Sequence, residues 1–155
     1  MSMDIKEVYG DLFDIAKNHN CDAIAHGCNV DGLMGAGVAK LFREKFPVNY
    51  DYYKDICAAA KENNAEIVGS YFGFMDINTG NAIYNMFTQD RPGRYAQLKW
   101  VQESFMELCN LDNSTRPKRL AIPKIGCGIG GLEWDDVKMV LEHIKSDTQL
   151  VVAYI

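Results

Sequence analysis

Two glycine-rich stretches carry the residue types from which an anion-binding, proton-transferring site can be built. The first is Met34-Gly35-Ala36-Gly37-Val38, with His26 and Asn29 just upstream; the second is Ile125-Gly126-Cys127-Gly128-Ile129-Gly130. Glycine lacks a Cβ, so backbone amides can approach a phosphate closely and the chain can adopt positive φ. A histidine titrates near neutral pH, which suits His26 to carry a proton to or from a leaving group. A second role is open to it, that of a satisfied structural residue at the end of a buried strand. Neither loop fits G-x-x-x-x-G-K-[ST], and the first has no acidic residue at the offset of a dinucleotide fingerprint. Nucleoside triphosphate and NAD chemistry are therefore disfavoured.

Cys28 and Cys127 place one thiol in each loop. A nucleophilic cysteine needs a histidine and an acidic orienter in register, and neither thiol has them, so both read as small buried side chains. His19, His26 and His143, taken with Cys21 and Cys28, show no zinc spacing, and no metal is expected. The run Arg91-Pro92-Gly93-Arg94-Tyr95 supplies two arginines that either touch a substrate phosphate or belong to an ordinary turn and helix start.

Flanking elements must position these loops. Runs 5–10, 21–27, 66–76, 81–89, 119–125 and 149–155 are rich in Val, Ile, Phe and Tyr and read as strands. Stretches 35–46, 48–64, 94–110 and 133–145 read as helices; in the last, Val137, Val140, Leu141 and Ile144 recur at helical spacing. The alternation predicts an α/β fold, a mixed and mostly parallel sheet of about six strands between helices. The turn signal at residues 77–81 predicts one antiparallel hairpin. Both glycine loops follow a strand and precede a helix, where open α/β sheets bind ligands and a helix N-terminus favours an anion. Turn chemistry alone explains either loop by itself, but two in the same position favour a ligand.

A length of 155 residues with 48% hydrophobic and 24% charged composition fits one domain over residues 1–155. The net charge of −5 disfavours long duplex nucleic acid as a partner, which needs clustered cations. Five scattered cysteines without a C-x-x-C pair read as reduced thiols in a cytoplasmic protein. No apolar run approaches the length that spans a bilayer, so no membrane association is expected.

Residues 10–14, 25–39 and 122–134 resemble, in order and spacing, the signature segments of the macrodomain, an ADP-ribose-binding three-layer α/β/α module. The resemblance covers nearly the whole chain. It is nearest to the branch holding yeast-type ADP-ribose 1″-phosphate phosphatases, terminal ADP-ribose glutamate hydrolases and bacterial DNA ADP-ribosylglycohydrolase antitoxins.

The resemblance implies a role for each matching position. Asp11, followed by Leu12 at the adenine end, would accept a hydrogen bond from the adenine amino group; its competing role is the N-cap of a helix over 12–17. Asn29 would bind the distal ribose hydroxyls. Met34, Gly35, Ala36, Gly37 and Val38 would wrap the diphosphate from one side, and Ile125, Gly126, Cys127, Gly128, Ile129 and Gly130 from the other. Tyr154 would stack near adenine, or serve as a core tyrosine. The arrangement Ala25-His26-Gly27-Cys28-Asn29 resembles the yeast-type phosphatases and assigns catalysis to His26 and Asn29.

Two departures bear on mechanism. Glycosidic relatives carry a catalytic lysine where this chain has Gln89, which has no basic amine to form a covalent intermediate. The glutamate hydrolases also place an aspartate where this chain has Gly130. The expectation is therefore a phosphatase converting ADP-ribose 1″-phosphate to ADP-ribose and phosphate. The alternatives are a hydrolase of ADP-ribosyl or O-acetyl-ADP-ribose bonds that works without the lysine, and a non-catalytic ADP-ribose reader. ADP-ribose, its 1″-phosphate or an ADP-ribosylated macromolecule would be the partner, and no cofactor is implied.

Overall fold

The computed structural model of the chain describes residues 2–155. Its strands are β1 (Asp4–Tyr9), β2 (Ala23–Cys28), β3 (Tyr71–Met75), β4 (Ala82–Phe87), β5 (Arg119–Ile122) and β6 (Gln149–Tyr154). Its helices are α1 (Leu12–Asn18), α2 (Gly37–Lys45), α3 (Pro47–Glu62), α4 (Leu98–Cys109) and α5 (Trp134–Glu142). The strands form one six-stranded sheet in the order β1-β6-β5-β2-β4-β3. Every pairing is parallel except β3 with β4, the expected hairpin.

Strand parity builds the layers, because successive side chains point to opposite faces. Ala23 and Ala25 of β2 pack with Val101, Phe105 and Leu108 of α4 and Val137 and Leu141 of α5. Ile24 faces the other way, into the cluster holding Leu12 and Ile15 of α1 and Phe42 of α2. Cys28, on the same face as Ile24, meets Tyr53 and Cys57 of α3. The result is the macrodomain-like three-layer α/β/α arrangement.

Two strand limits differ from the sequence reading by three residues or more. The run 66–76 becomes strand only at Tyr71, because residues before it turn: Gly69 has φ +85°, and the Ser70 hydroxyl donates to Ile67 O at 2.6 Å. The run 119–125 stops at Ile122, ahead of Pro123, which has no N–H to give the ladder. The chain therefore leaves the sheet at the base of the second glycine loop.

Candidate functional site

Carboxyl ends of the parallel strands share one edge of the sheet, and the strand order arranges the candidate residues along it. Asp11 follows β1, Tyr154 closes β6, Lys124 follows β5, Asn29 follows β2 and Gln89 follows β4. Four inter-strand steps cover about 19 Å, room for an extended two-ended ligand rather than a lone phosphate.

A cleft of about 470 Å³ opens in the middle of this edge. Asn29, Gly35, Ala36, Gly37 and Val38 line it from the first loop, and Gly126, Gly128, Ile129 and Gly130 from the second. Gly37 holds φ +60° at the start of α2, where a Cβ would stand 3.1 Å from Ile129 Cδ1, so the two loops touch across the cleft. Ala36 gives α2 no side-chain cap, and no acid lies in its first turn, which leaves helix N–H groups and the positive end of the dipole toward the cleft. Uncapped N–H donors beside a glycine-lined cavity suit an anion.

Several predicted contacts sit elsewhere. Met34 and Ile125 are each 1% exposed, and Leu12 is buried against α1's core; their side chains anchor the loops and do not line the cleft. Cys127 is half-buried, with its thiol donating to Ile125 O at 3.4 Å. Burial pushes that thiol up to about 11 and holds Cys28 well above the ordinary thiol range, so neither is a thiolate near neutral pH.

His26 is placed apart from the loop residues. It lies on the sheet face toward α2 and α3, fully buried, with its ring stacked on Phe42 at 3.8 Å between centroids and 6° between planes. Nε2 donates to Asn85 Oδ1 at 2.8 Å, since a carbonyl oxygen can only accept. Asn85 is in turn paired reciprocally with Asn49 of α3, at 2.9 and 3.1 Å. Desolvation holds the imidazole pKa at about 4, against a weaker upward pull from Asn85. The ring is buried beneath α2 as a neutral imidazole, and the thiol of Cys28, a residue of the cleft wall, stands 3.5 Å from Nε2 between it and the cavity. Of the two roles open to it, burial and the bond to Asn85 favour the structural one.

Asn29 does reach the cleft, but its side chain also builds the loop. Nδ2 donates to Leu33 O at 2.8 Å, while Oδ1 accepts from Asp31 N at 2.9 Å and from the Tyr53 hydroxyl at 2.9 Å. One amide hydrogen is left for a ligand. Gln89 lines the opposite wall and is likewise engaged, with Nε2 donating to Arg91 O at 2.7 Å and Gly93 O at 3.0 Å. Those bonds fold residues 90–96 back on themselves. Gly130 faces the same corner, where a Cβ would meet Gly126 O at 2.7 Å and Ala96 Cβ at 2.8 Å. No side chain of any kind fits at that position, so the missing aspartate is excluded by packing as well as by sequence.

At the other end, Asp11 is the N-cap of α1: Oδ2 accepts from Phe13 N at 3.0 Å and Asp14 N at 3.1 Å. The capping role is thus filled by one oxygen, and Oδ1 stays open to solvent. Tyr154 is 39% exposed and meets Tyr9 edge-on at 5.7 Å. The Lys124 ammonium lies over the Tyr154 ring at 4.9 Å and is the one charged group lining the cleft among the described residues. The sequence reading passed over Lys124, although its place directly after a strand and Pro123 is the signal that marks it. Arg91 stands over Tyr95 at 4.5 Å and pairs with Asp90, outside the cleft wall.

The Macro domain family model matches residues 25–141, more than half of the chain and both loops. This chain belongs to the Macro domain family. The macrodomain is 28% identical over 151 residues to the ADP-ribose 1″-phosphate phosphatase of Candida albicans, a match covering 92% of this chain and 94% of that protein. It is also 28% identical over 124 residues to the DNA ADP-ribosyl glycohydrolase of Thermus aquaticus, covering 79% of this chain but only 33% of that longer protein. Among solved structures, the macrodomain of Thermus aquaticus DarG superposes with a TM-score of 0.74 at 25% identity, over 97% of each chain. This macrodomain's overall fold is thus that of solved macrodomain structures.

Proposed function

We propose that this macrodomain binds ADP-ribose in the two-loop cleft and hydrolyses the phosphate ester of ADP-ribose 1″-phosphate. The observation that carries the reading is the distal corner of the cleft: Gln89 is tied to two carbonyls, and Gly130 has no space for a side chain. A lysine-dependent glycosidic mechanism has neither of its groups there. Phosphoryl transfer asks less of side chains, because its transition state is stabilised mainly by positioning and by donors to the equatorial oxygens. Loop amides and the α2 N-terminus supply such donors. Water attacks phosphorus, the bond to the 1″ oxygen breaks, and phosphate and ADP-ribose leave. Near full-length similarity to a named ADP-ribose 1″-phosphate phosphatase supports the same reading. Asp11 Oδ1 and Tyr154 would hold the adenine end and Asn29 the distal ribose. Five unpaired thiols support a reducing, cytoplasmic setting.

The second reading is a reader without turnover, and the buried position of His26 favours it, since no imidazole or carboxylate lines the cleft among the described residues. One assay separates the readings. Phosphate release from ADP-ribose 1″-phosphate should be measured beside ADP-ribose release from glutamate-modified protein and from modified DNA. Turnover of the first substrate alone is expected, and Gln89→Lys should add no glycosidic cleavage because the Arg91 and Gly93 carbonyls capture the ammonium. Binding without phosphate release identifies the reader, and ADP-ribose release from either macromolecule overturns the phosphatase assignment.

A further inference from the structure

The two glycine loops offer dipoles and N–H groups but no full charge, and the chain as a whole carries −5. A diphosphate carries about two negative charges, so such a surface would repel it at long range unless a cation stood in the cleft. Lys124 stands there. Its ammonium lies 4.9 Å from the Tyr154 ring centre and 5.9 Å from that of Trp134. Trp134 is itself pinned, its indole N–H donating to Glu7 Oε1 at 2.9 Å, while the other Glu7 oxygen takes Lys138 at 2.9 Å. Glu7 is thereby occupied, and Lys124 forms no ion pair among the described residues. Aromatic faces attract an ammonium without neutralising it. They hold the Lys124 stem in place in a half-buried wall, where its charge has no direct ion pair among the described residues and reaches Glu7 only through space.

We propose that Lys124 is the charge partner of the ligand's diphosphate, held on an aromatic cradle of Tyr154 and Trp134 at the boundary between the adenosine end and the glycine loops. The proposal rests on the ADP-ribose reading above. Its placement follows from the strand order: Lys124 leaves β5, between Tyr154 on β6 and Asn29 on β2. A compact ammonium with three donors suits a point contact to one phosphate. On this account Tyr154 acts first as a platform for the lysine, since one face of its ring lies beneath the ammonium.

Calorimetric titration of ADP-ribose and, separately, of adenosine into wild type, Lys124→Gln and Lys124→Arg tests this. Lys124→Gln should weaken ADP-ribose binding about 10- to 100-fold, as expected for a lost charged hydrogen-bond partner, and leave adenosine binding unchanged. Lys124→Arg should keep most of the affinity. Raising salt from about 0.05 to about 0.5 M should weaken wild-type binding more steeply than binding to Lys124→Gln, because screening acts on the pair that only wild type has. Thermal midpoints of the three proteins should agree, which separates charge from fold. Equal ADP-ribose affinity of wild type and Lys124→Gln overturns the proposal, as does an equal loss for adenosine. Failure of wild type to bind ADP-ribose at all overturns the underlying reading instead.

Discussion

Changing His26 to alanine should cost roughly 3–5 kcal/mol of folding stability while leaving the ADP-ribose affinity and turnover of the folded fraction unchanged. The ring fills the space under Phe42, and its removal takes away one of two donors to Asn85 Oδ1. Large-to-small change at a fully buried aromatic site leaves a cavity that neighbours only partly close. pH gives an independent check. The buried imidazole has a pKa of about 4 in the fold against 6.5 in the unfolded chain, so below pH 6.5 the unfolded state binds the extra proton. His26's contribution is complete above that pH and is lost as pH falls toward 4, up to about 3 kcal/mol. Urea unfolding at several pH values, with His26→Gln beside wild type, should show the gap between them narrowing in acid. An imidazole that titrates near 6.5, with turnover following the same curve, would return His26 to catalysis.

Gly128→Val should lower ADP-ribose affinity at least about 100-fold, a loss of roughly 3 kcal/mol, with an unchanged thermal midpoint. Gly128 lines the cleft, its φ lies outside the left-handed region, and a Cβ built on it meets no heavy atom within 4 Å. The added side chain therefore starts in open space and projects into the cleft, where it would crowd a bound phosphate. Gly126→Val makes the contrast: φ is +77° and a Cβ would sit 2.8 Å from Leu132 Cδ1, so stability should fall together with binding. Calorimetry and thermal melts on the two variants distinguish a blocked site from a broken loop. Full affinity in a folded Gly128→Val protein would mean that this loop holds no ligand.

The fold was largely legible because its signals are local. Alternation in Ala23-Ile24-Ala25 and the glycine-flanked loop starts place strands and turns without reference to distant residues. Loop positions followed from the strand-to-helix order alone. Between the two roles the sequence leaves open for His26, strand parity favours the structural one: it shares its face with Ile24 and Cys28, both buried in the core. Its partner Asn85 lies 59 positions away and is held in turn by Asn49, and nothing in the spacing announces either. The second job of Gln89, bonding the carbonyls of its own loop, is equally a property of the folded turn. Lys124 was hidden for a different reason, because a lysine among glycines reads as solvated charge until Tyr154 and Trp134 arrive from other elements to cradle it.

The location of the site is tested most directly by backbone amide chemical shifts of the labelled protein during titration with ADP-ribose. Large, saturating changes are expected for Gly35 through Ala39 and Gly126 through Gly130, with smaller ones at Asp11 and Tyr154. The amides of Asn49 and Asn85, beside the buried His26, should stay in place. Shifts confined to residues outside the two loops, or no shifts at millimolar ADP-ribose, would contradict the account.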